Sequence, residues 1–138
     1  MHIHLAILGD PKPQKRHRST RVGGFIRQYD PSKADKGDFL SVIQKQAPET
    51  PLDVPLRMEL ALFFSRPKSH YGTGSKSTVL KANAPIWHTS KPDFDNVAKF
   101  ICDAMNGVFF KDDSYVVDVT IKKQYCEKPR IEITIETI

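Results

Sequence analysis

The sequence has few cysteines and no long apolar run, and both absences narrow the class of protein. Its two cysteines, Cys102 and Cys126, have neither the spacing of a metal site nor the number that a disulfide framework needs. We therefore expect two reduced thiols and a cytoplasmic protein. No stretch approaches the ~18 apolar residues of a membrane span. The N-terminal MHIHLAILGD lacks the basic start and apolar core of a signal peptide. We therefore expect neither a membrane span nor a signal peptide.

Acidic residues are missing from two long segments, 11–29 and 60–92. Residues 1–92 carry 15 Lys and Arg against 7 Asp and Glu, a net charge of +8, whereas residues 93–138 carry 6 against 9, a net charge of −3. Basic surfaces attract nucleic acid, because each neutralised phosphate releases counterions. The same charges also fit solvated loops that keep a protein soluble. The candidate DNA-binding residues are Lys12, Lys15, Arg16, Arg18, Arg21, Arg27, Arg66, Lys68, Lys76 and Lys91.

The length of 138 residues predicts one domain, 1–138, with a modest core. Alternating apolar residues predict four strands, and apolar residues at three- and four-residue spacing predict two helices. The strands are expected at 2–8, 54–64, 115–123 and 130–138, and the helices between Asp30 and Pro48 and from Asp95 to Met105. The short KPR connection makes an antiparallel hairpin of the last two strands the simplest arrangement. The fold class is therefore α+β, a two-layer domain with a mixed or antiparallel sheet.

Two further segments have no sustained period. The basic stretch around Gly23-Gly24 predicts a loop or a small hairpin. Residues 65–90 form a long segment of the kind that is usually functional or disordered. Within it, Tyr71 and Trp87 suit either stacking on a base or anchoring the loop to the body.

Four aspartates form two clusters that flank the second predicted helix. Asp93 and Asp95 open it in KPDFDN, and Asp112 and Asp113 follow it in FFKDDSYVV. Carboxylates two positions apart on an extended segment point the same way and can approach one hard cation. A third carboxylate from the second cluster would complete a site for Mg²⁺, an ion that can activate water for phosphodiester hydrolysis. Lys99, one turn after Asp95, could counter the charge of the attacked phosphate.

Each of these features also has a structural interpretation. An aspartate at a helix start is commonly a cap, and Asp95 and Lys99 at i,i+4 can form an ordinary surface ion pair. An Asp-Asp pair before a strand is often only a turn. The sequence contains no HExxH, no CxxC pair and no glycine-rich phosphate loop. The residues alone therefore leave the metal site open.

The block KPDFDNVAKFICDAMNGVFFKDDSYVVDVTIKK, residues 91–123, resembles the signature of the RusA family of Holliday junction resolvases. The specific part is the combination of KPDxDN, a lysine four residues on, DAMNG and then KDD. Weaker similarity extends over GDPKPQKRHR and FSRPKSHYGTG, and so over nearly the whole chain. The family consists of endodeoxyribonucleases found in bacteria and their prophages.

The resemblance implies a homodimer with an α/β fold that cuts four-way DNA junctions with Mg²⁺, or with Mn²⁺ in its place. Carried onto this sequence, Asp93 and Asp95 match the paired family aspartates, Asp113 the third catalytic acid and Lys99 the essential lysine. Asp112 matches an acidic position and is a further candidate ligand. A two-fold protein also suits a nearly two-fold substrate that must be cut on two opposed strands.

Two other functions remain compatible with the sequence. One is a non-catalytic protein that binds branched DNA. The other is a metal-dependent nuclease for another DNA structure, such as a flap or a single strand. Replacement of Asp93 by Asn separates the first from an enzyme, and comparison of substrates separates the second.

Overall fold

The structure, a computed structural model, describes all residues from 1 to 138. The domain is α+β, as predicted, with a four-stranded sheet, a separate two-stranded sheet and two helices. Neither helix has the length and apolar character needed to cross a lipid bilayer. The elements are β1 (His2–Leu8), β2 (Arg18–Val22), β3 (Phe25–Tyr29), α1 (Lys33–Ile43), β4 (Leu56–Phe64), α2 (Phe94–Met105), β5 (Val116–Tyr125) and β6 (Arg130–Thr137).

The large sheet is mixed and has the strand order β1-β6-β4-β5. β6 pairs antiparallel with β1 and β4, and β4 pairs parallel with β5. The predicted hairpin of the last two strands is therefore wrong, because β4 lies between them. β6 is a central strand, and its Ile131, Ile133 and Ile135 are at most 4% exposed. β5 carries exposed Asp118 and Lys122 and suits an edge position.

The helices pack on one face of the sheet and bury its apolar side. β4 alternates as predicted, with Leu56, Met58, Leu60, Leu62 and Phe64 all buried. The rings of Phe39 in α1 and Phe100 in α2 meet edge to face, with centroids 5.8 Å apart. These contacts join both helices and the sheet in one core of 19 buried residues.

α1 begins later than its sequence suggests. Its N-terminal boundary residue is Ser32, not Asp30. The Asp30 carboxylate instead accepts hydrogen bonds from the Ser32 backbone N–H at 2.9 Å and from Gln14 Nε2 at 2.8 Å. It also pairs with Lys36, whose ammonium lowers the pKa of Asp30 to about 2. Asp30 therefore fastens the chain on both sides of the β2–β3 hairpin to the start of α1.

β4, α2 and β5 form a strand–helix–strand unit whose two strands are parallel. The helix runs opposite to the strands, because it must return the chain to the end where they begin. Before the helix, the Ser90 carbonyl accepts a hydrogen bond from Lys123 Nζ, near the end of β5. After the helix, Phe109 and Lys111 exchange backbone hydrogen bonds with Leu52, just before β4. The segments before and after α2 therefore lie at opposite ends of the sheet.

The basic stretch forms a β-hairpin, β2–β3, which is one of the two forms predicted for it. Gly23 and Gly24 make its two-residue turn, and Gly23 has a φ of +63°, a value that favours glycine. All ten strand residues are exposed, so the hairpin packs on no part of the body.

Residues 65–90 follow an ordered path with two short 3-10 turns, although their sequence has no period. Tyr71 pairs with Leu80 across a small loop, and residues 86–88 run beside the end of β5. Trp87 forms a backbone bridge to Gln124 there, and its side chain is 55% exposed. At Trp87 the segment is therefore anchored through its backbone, and the Trp87 ring remains free to meet a ligand.

Candidate functional site

Asp93 and Asp95 lie at the start of α2, both exposed to solvent. Asp93 occupies the N-cap position with extended backbone, but its side chain makes no capping hydrogen bond. Asp95 in the first turn does not pair with Lys99, because Lys99 Nζ lies 3.8 Å from Asp103 Oδ2 instead. The two structural explanations offered by the sequence, a cap and an i,i+4 ion pair, are therefore absent. Both carboxylates remain available to a ligand.

Asp112 and Asp113 lie in the turn before β5 and are also exposed. Asp112 caps a short 3-10 turn: its carboxylate accepts the Ser114 backbone N–H at 3.2 Å. Hydrogen bonds from the Ser114 side chain and backbone lower the pKa of Asp112. Asp112 thus has a structural role, whereas Asp113 makes no such contact.

Asp113 lies beside the second half of α2. Burial, together with the negative charges of Asp113 and Asp103, raises the pKa of the Cys102 thiol to about 11, while the charge of Lys99 opposes the shift. Asp113 must therefore be within electrostatic reach of Cys102. Both cysteines are free, as predicted, and a thiol with so high a pKa is not a nucleophile at neutral pH.

The two carboxylate pairs do not form one metal site within the chain. No group of three or more His, Cys, Asp or Glu side chains is close enough to hold an ion. The cause is α2 itself, since the rise from Asp93 to the level of Cys102 is about 14 Å. The donor chemistry still fits Mg²⁺, which commonly uses one or two carboxylates with retained waters and substrate phosphate. Asp93 and Asp95 fit that smaller set, and Asp113 does not join it in this geometry.

Lys99 lies between the two carboxylate pairs on α2. It is one turn from Asp95 and one turn from Cys102, near which Asp113 lies. Its side chain is 63% exposed, so the contact with Asp103 is weak and easily exchanged for another anion. A phosphate bound between the two carboxylate pairs would need a cation at this position.

A basic groove borders the start of α2. The Gln14 backbone N–H donates to the Asn96 carbonyl at 3.0 Å, which places the basic loop against the first turn of the helix. The groove is lined by Gln14, Lys15, Arg16, His17, Asn96 and Lys99. Sequence reasoning missed Gln14 and Asn96. Asn96 belongs to the KPDFDN block, but only the structure shows that its carbonyl holds the loop.

Nine of the ten candidate DNA-binding residues are exposed. Lys12 pairs with Asp35 at 3.2 Å, and none of the other candidates makes an ion pair. The tenth candidate, Arg66, is half-buried. The Arg66 guanidinium donates to the Pro85 carbonyl at 2.6 Å and lies 5.3 Å from the centre of the Tyr125 ring. Arg66 therefore ties the long loop to β5, a structural role that the sequence did not indicate.

His88 anchors the segment that leads into Asp93. Its buried ring stacks on Phe64, with centroids 3.8 Å apart, and its backbone N–H donates to the Lys123 carbonyl at 3.0 Å. Burial lowers the pKa of His88, and the Lys123 ammonium lowers it further, while Asp10 opposes this shift. The neutral ring therefore holds residues 86–90 in place.

Acidification is expected to loosen this anchor. Because the pKa of His88 is lower in the folded state, its stabilising contribution is fully present above the unfolded value of 6.5 and is lost as the pH falls below it. Between about pH 7.5 and about pH 5.5, we expect the Tm of the wild-type protein to fall by roughly 4 °C more than the Tm of His88→Phe. Phenylalanine keeps the stacking and cannot be protonated, and His88 Nδ1 has no hydrogen-bond partner to lose. Equal drops in the two proteins would contradict this role.

Comparison with known proteins decides the family. The family model "Endodeoxyribonuclease RusA" matches residues 9–136. This chain belongs to the RusA family. It is 34% identical over 139 residues to YqaN of Bacillus subtilis (strain 168), a protein described as uncharacterized, over 99% of this chain and 96% of YqaN. It is 27% identical over 132 residues to the crossover junction endodeoxyribonuclease rusA of Lactococcus phage r1t, over 93% of this chain and 91% of the phage protein.

Membership of the RusA family confirms the resemblance carried by residues 91–123, and it identifies the chain as an endodeoxyribonuclease. RusA nucleases act on branched DNA junctions, which agrees with the basic groove beside α2.

Proposed function

We propose that this RusA-family chain resolves Holliday junctions by paired symmetric nicks, in a Mg²⁺-dependent reaction that serves recombination and repair. One observation carries the proposal: the acid-free basic loop is hydrogen-bonded to the first turn of α2, beside Asp93 and Asp95. A phosphate backbone drawn to the loop by Lys15 and Arg16 would therefore meet carboxylates that no cation of the protein neutralises.

Each residue at the start of α2 has a proposed part. Asp93 and Asp95 would hold Mg²⁺, or Mn²⁺, together with waters and a phosphate oxygen. The bound ion would supply an activated water and charge stabilisation at the departing oxygen. Lys99 would bind a second oxygen of the same phosphate. Asp113, which the family pattern marks as the third acid, would act from the far side of Lys99, and Asp112 would position the turn that carries it.

We also propose a homodimer, because two opposed strands of a junction must be cut. β5 supports this, since Val117 and Val119 are 63% and 48% exposed on an edge strand. A second copy would cover these neighbouring apolar side chains. A two-fold pair would bring two equivalent sites to one substrate.

The testing experiment compares DNA structures under one condition. The purified chain is incubated with Mg²⁺ and a mobile four-way junction, a flap, a single strand or a linear duplex, each carrying labels on every strand. Symmetric paired nicks on the junction alone are expected. Faster cutting of the flap or the single strand would assign the nuclease to that structure, and an uncut junction that remains bound would overturn the proposal.

Arginines on the hairpin are expected to contribute to affinity through phosphate contacts. The double change Arg18→Ala with Arg27→Ala should weaken junction binding about tenfold near 100 mM salt and reduce the slope of log K against log salt by about 2. Filter binding over a salt series measures both. The control pair Lys45→Ala with Lys128→Ala removes the same charge from exposed sites outside the two acid-free segments. Equal effects of the two pairs would mean that only net charge matters.

A further inference from the structure

The tip of the β2–β3 hairpin exposes the largest fraction of apolar side chain in the protein. Phe25 is 79% exposed and Ile26 is 72% exposed, and Val22 and Tyr29 are also exposed. An isolated two-stranded hairpin is only marginally stable in water. Apolar side chains in so exposed a place usually mark a binding surface.

Strand pairing divides these side chains between two faces of the hairpin. Val22 pairs with Phe25 and Arg18 with Tyr29, and Thr20 pairs with Arg27 between them, so all six share one face. Ile26 and Arg21 lie on the opposite face, with Ser19 and Gln28. Along β3 the first face thus alternates aromatic and cationic side chains, and we call it the aromatic face.

The aromatic face continues from the basic groove. The groove includes Arg16 and His17, and β2 begins at the next residue, Arg18. At the base, Lys15 N–H donates to the buried Ser32 hydroxyl at 2.9 Å, and Asp30 fastens both sides of the hairpin. DNA held in the groove would therefore meet the hairpin next.

We propose that the hairpin is an arm that inserts Phe25 and Val22 against unstacked bases at the branch point of a junction. Arg18 and Arg27 hold the flanking phosphates on the same face. This inference rests on the proposed function and adds the element that recognises the branch.

The chemistry of the arm favours DNA as its occupant. No acidic residue lies between Pro11 and Tyr29, so the segment is complementary to phosphate and would repel a basic protein surface. Stacking of a base on an aromatic ring tolerates any sequence, and the cost of unstacking is smallest where pairing is already broken. Five residues per strand give the arm a length of about 16 Å, more than the ~12 Å width of a major groove.

The test places 2-aminopurine at the branch point of a four-way junction and measures its fluorescence on binding. Asp93→Asn serves as the full-length background, so that cutting does not interfere. We expect a several-fold rise in fluorescence with the parent arm, loss of most of that rise with Phe25→Ser, and its retention with Phe25→Trp. Phe25→Ser should also bind the junction about tenfold more weakly while binding linear duplex like the parent.

Ile26→Ser is the matched control, because it removes a neighbouring apolar side chain of similar exposure from the other face. It should leave the fluorescence rise intact. Equal loss with Ile26→Ser and Phe25→Ser would overturn the aromatic-face assignment. So would a change from dimer to monomer with Phe25→Ser in light scattering, since the tip would then contact a second copy. If the wild-type chain cuts junctions and Phe25→Ser neither dims the probe nor weakens binding, the arm fails while the proposed function stands.

Discussion

Asp93→Asn is expected to lower the junction-cutting rate about 10³-fold or more and to leave binding intact or slightly tighter. The amide has nearly the shape of the carboxylate but carries no charge, so it is a poor ligand for Mg²⁺. Binding survives because an exposed carboxylate beside a phosphate is repulsive, and removing it relieves that repulsion. Single-turnover cutting and filter binding on the same junction separate the two effects.

Asp38→Asn is the matched control for this change. Asp38 is exposed, lies in α1 and makes no ion pair, so the chemical change is the same at a carboxylate outside the candidate site. Cutting by Asp38→Asn at the wild-type rate is expected. If Asp93→Asn instead cuts like the wild type, this carboxylate does not hold the ion, and an explanation of catalysis would have to begin from Asp112 and Asp113.

Lys99→Met is expected to lower the cutting rate at saturating DNA about 10²-fold, with little change in affinity or stability. The side chain is exposed and its ion pair with Asp103 is long at 3.8 Å, so the folded state loses little when the charge is removed. The rate falls because the proposed contact is with the attacked phosphate as its charge develops. Single-turnover kinetics over a range of DNA concentrations distinguish this from weaker binding.

Lys33→Met serves as its control, since Lys33 is an exposed lysine at the first turn of α1 with no ion pair. Lys99→Arg should recover part of the rate, because it restores the positive charge with a different reach. A loss confined to affinity, with the saturated rate unchanged, would make Lys99 one more electrostatic contact.

Local pattern was sufficient to predict most elements but not their order. The alternation of β4 and the apolar spacing of α2 predicted both elements to within two residues, because a single buried face determines each pattern. The partner of β5 was predicted wrongly, because strand pairing depends on competition between strands for central positions. The strand β6, with buried Ile131, Ile133 and Ile135, takes a central position. No short segment of the sequence shows which strand will do so.

The sequence was sufficient to predict which residues of the candidate site carry the chemistry, but not how all of them are arranged in space. The sequence identified Asp93, Asp95 and Lys99, and the structure places Asp93 at the N-cap of α2 and the other two in its first half, free of competing structural roles apart from the weak Asp103 contact. It did not predict that a parallel crossover would keep Asp113 near Cys102. The exposed tip residue Phe25 was missed for a similar reason, since exposure depends on what the rest of the fold leaves uncovered.

Most surface segments must both support the fold and bind a partner. Because the hairpin does not contact the body, its sequence can change for binding without affecting the stability of the fold. Substitutions at its ten exposed positions, which span 18–22 and 25–29, remove no buried contact, so selection there is free to follow the substrate. Gly23 and Asp30 must be retained, because Gly23 makes the turn and the Asp30 carboxylate anchors the base of the hairpin. Exchange of residues 18–29 between relatives is therefore a practical route to altered substrate preference, with the scaffold left unchanged.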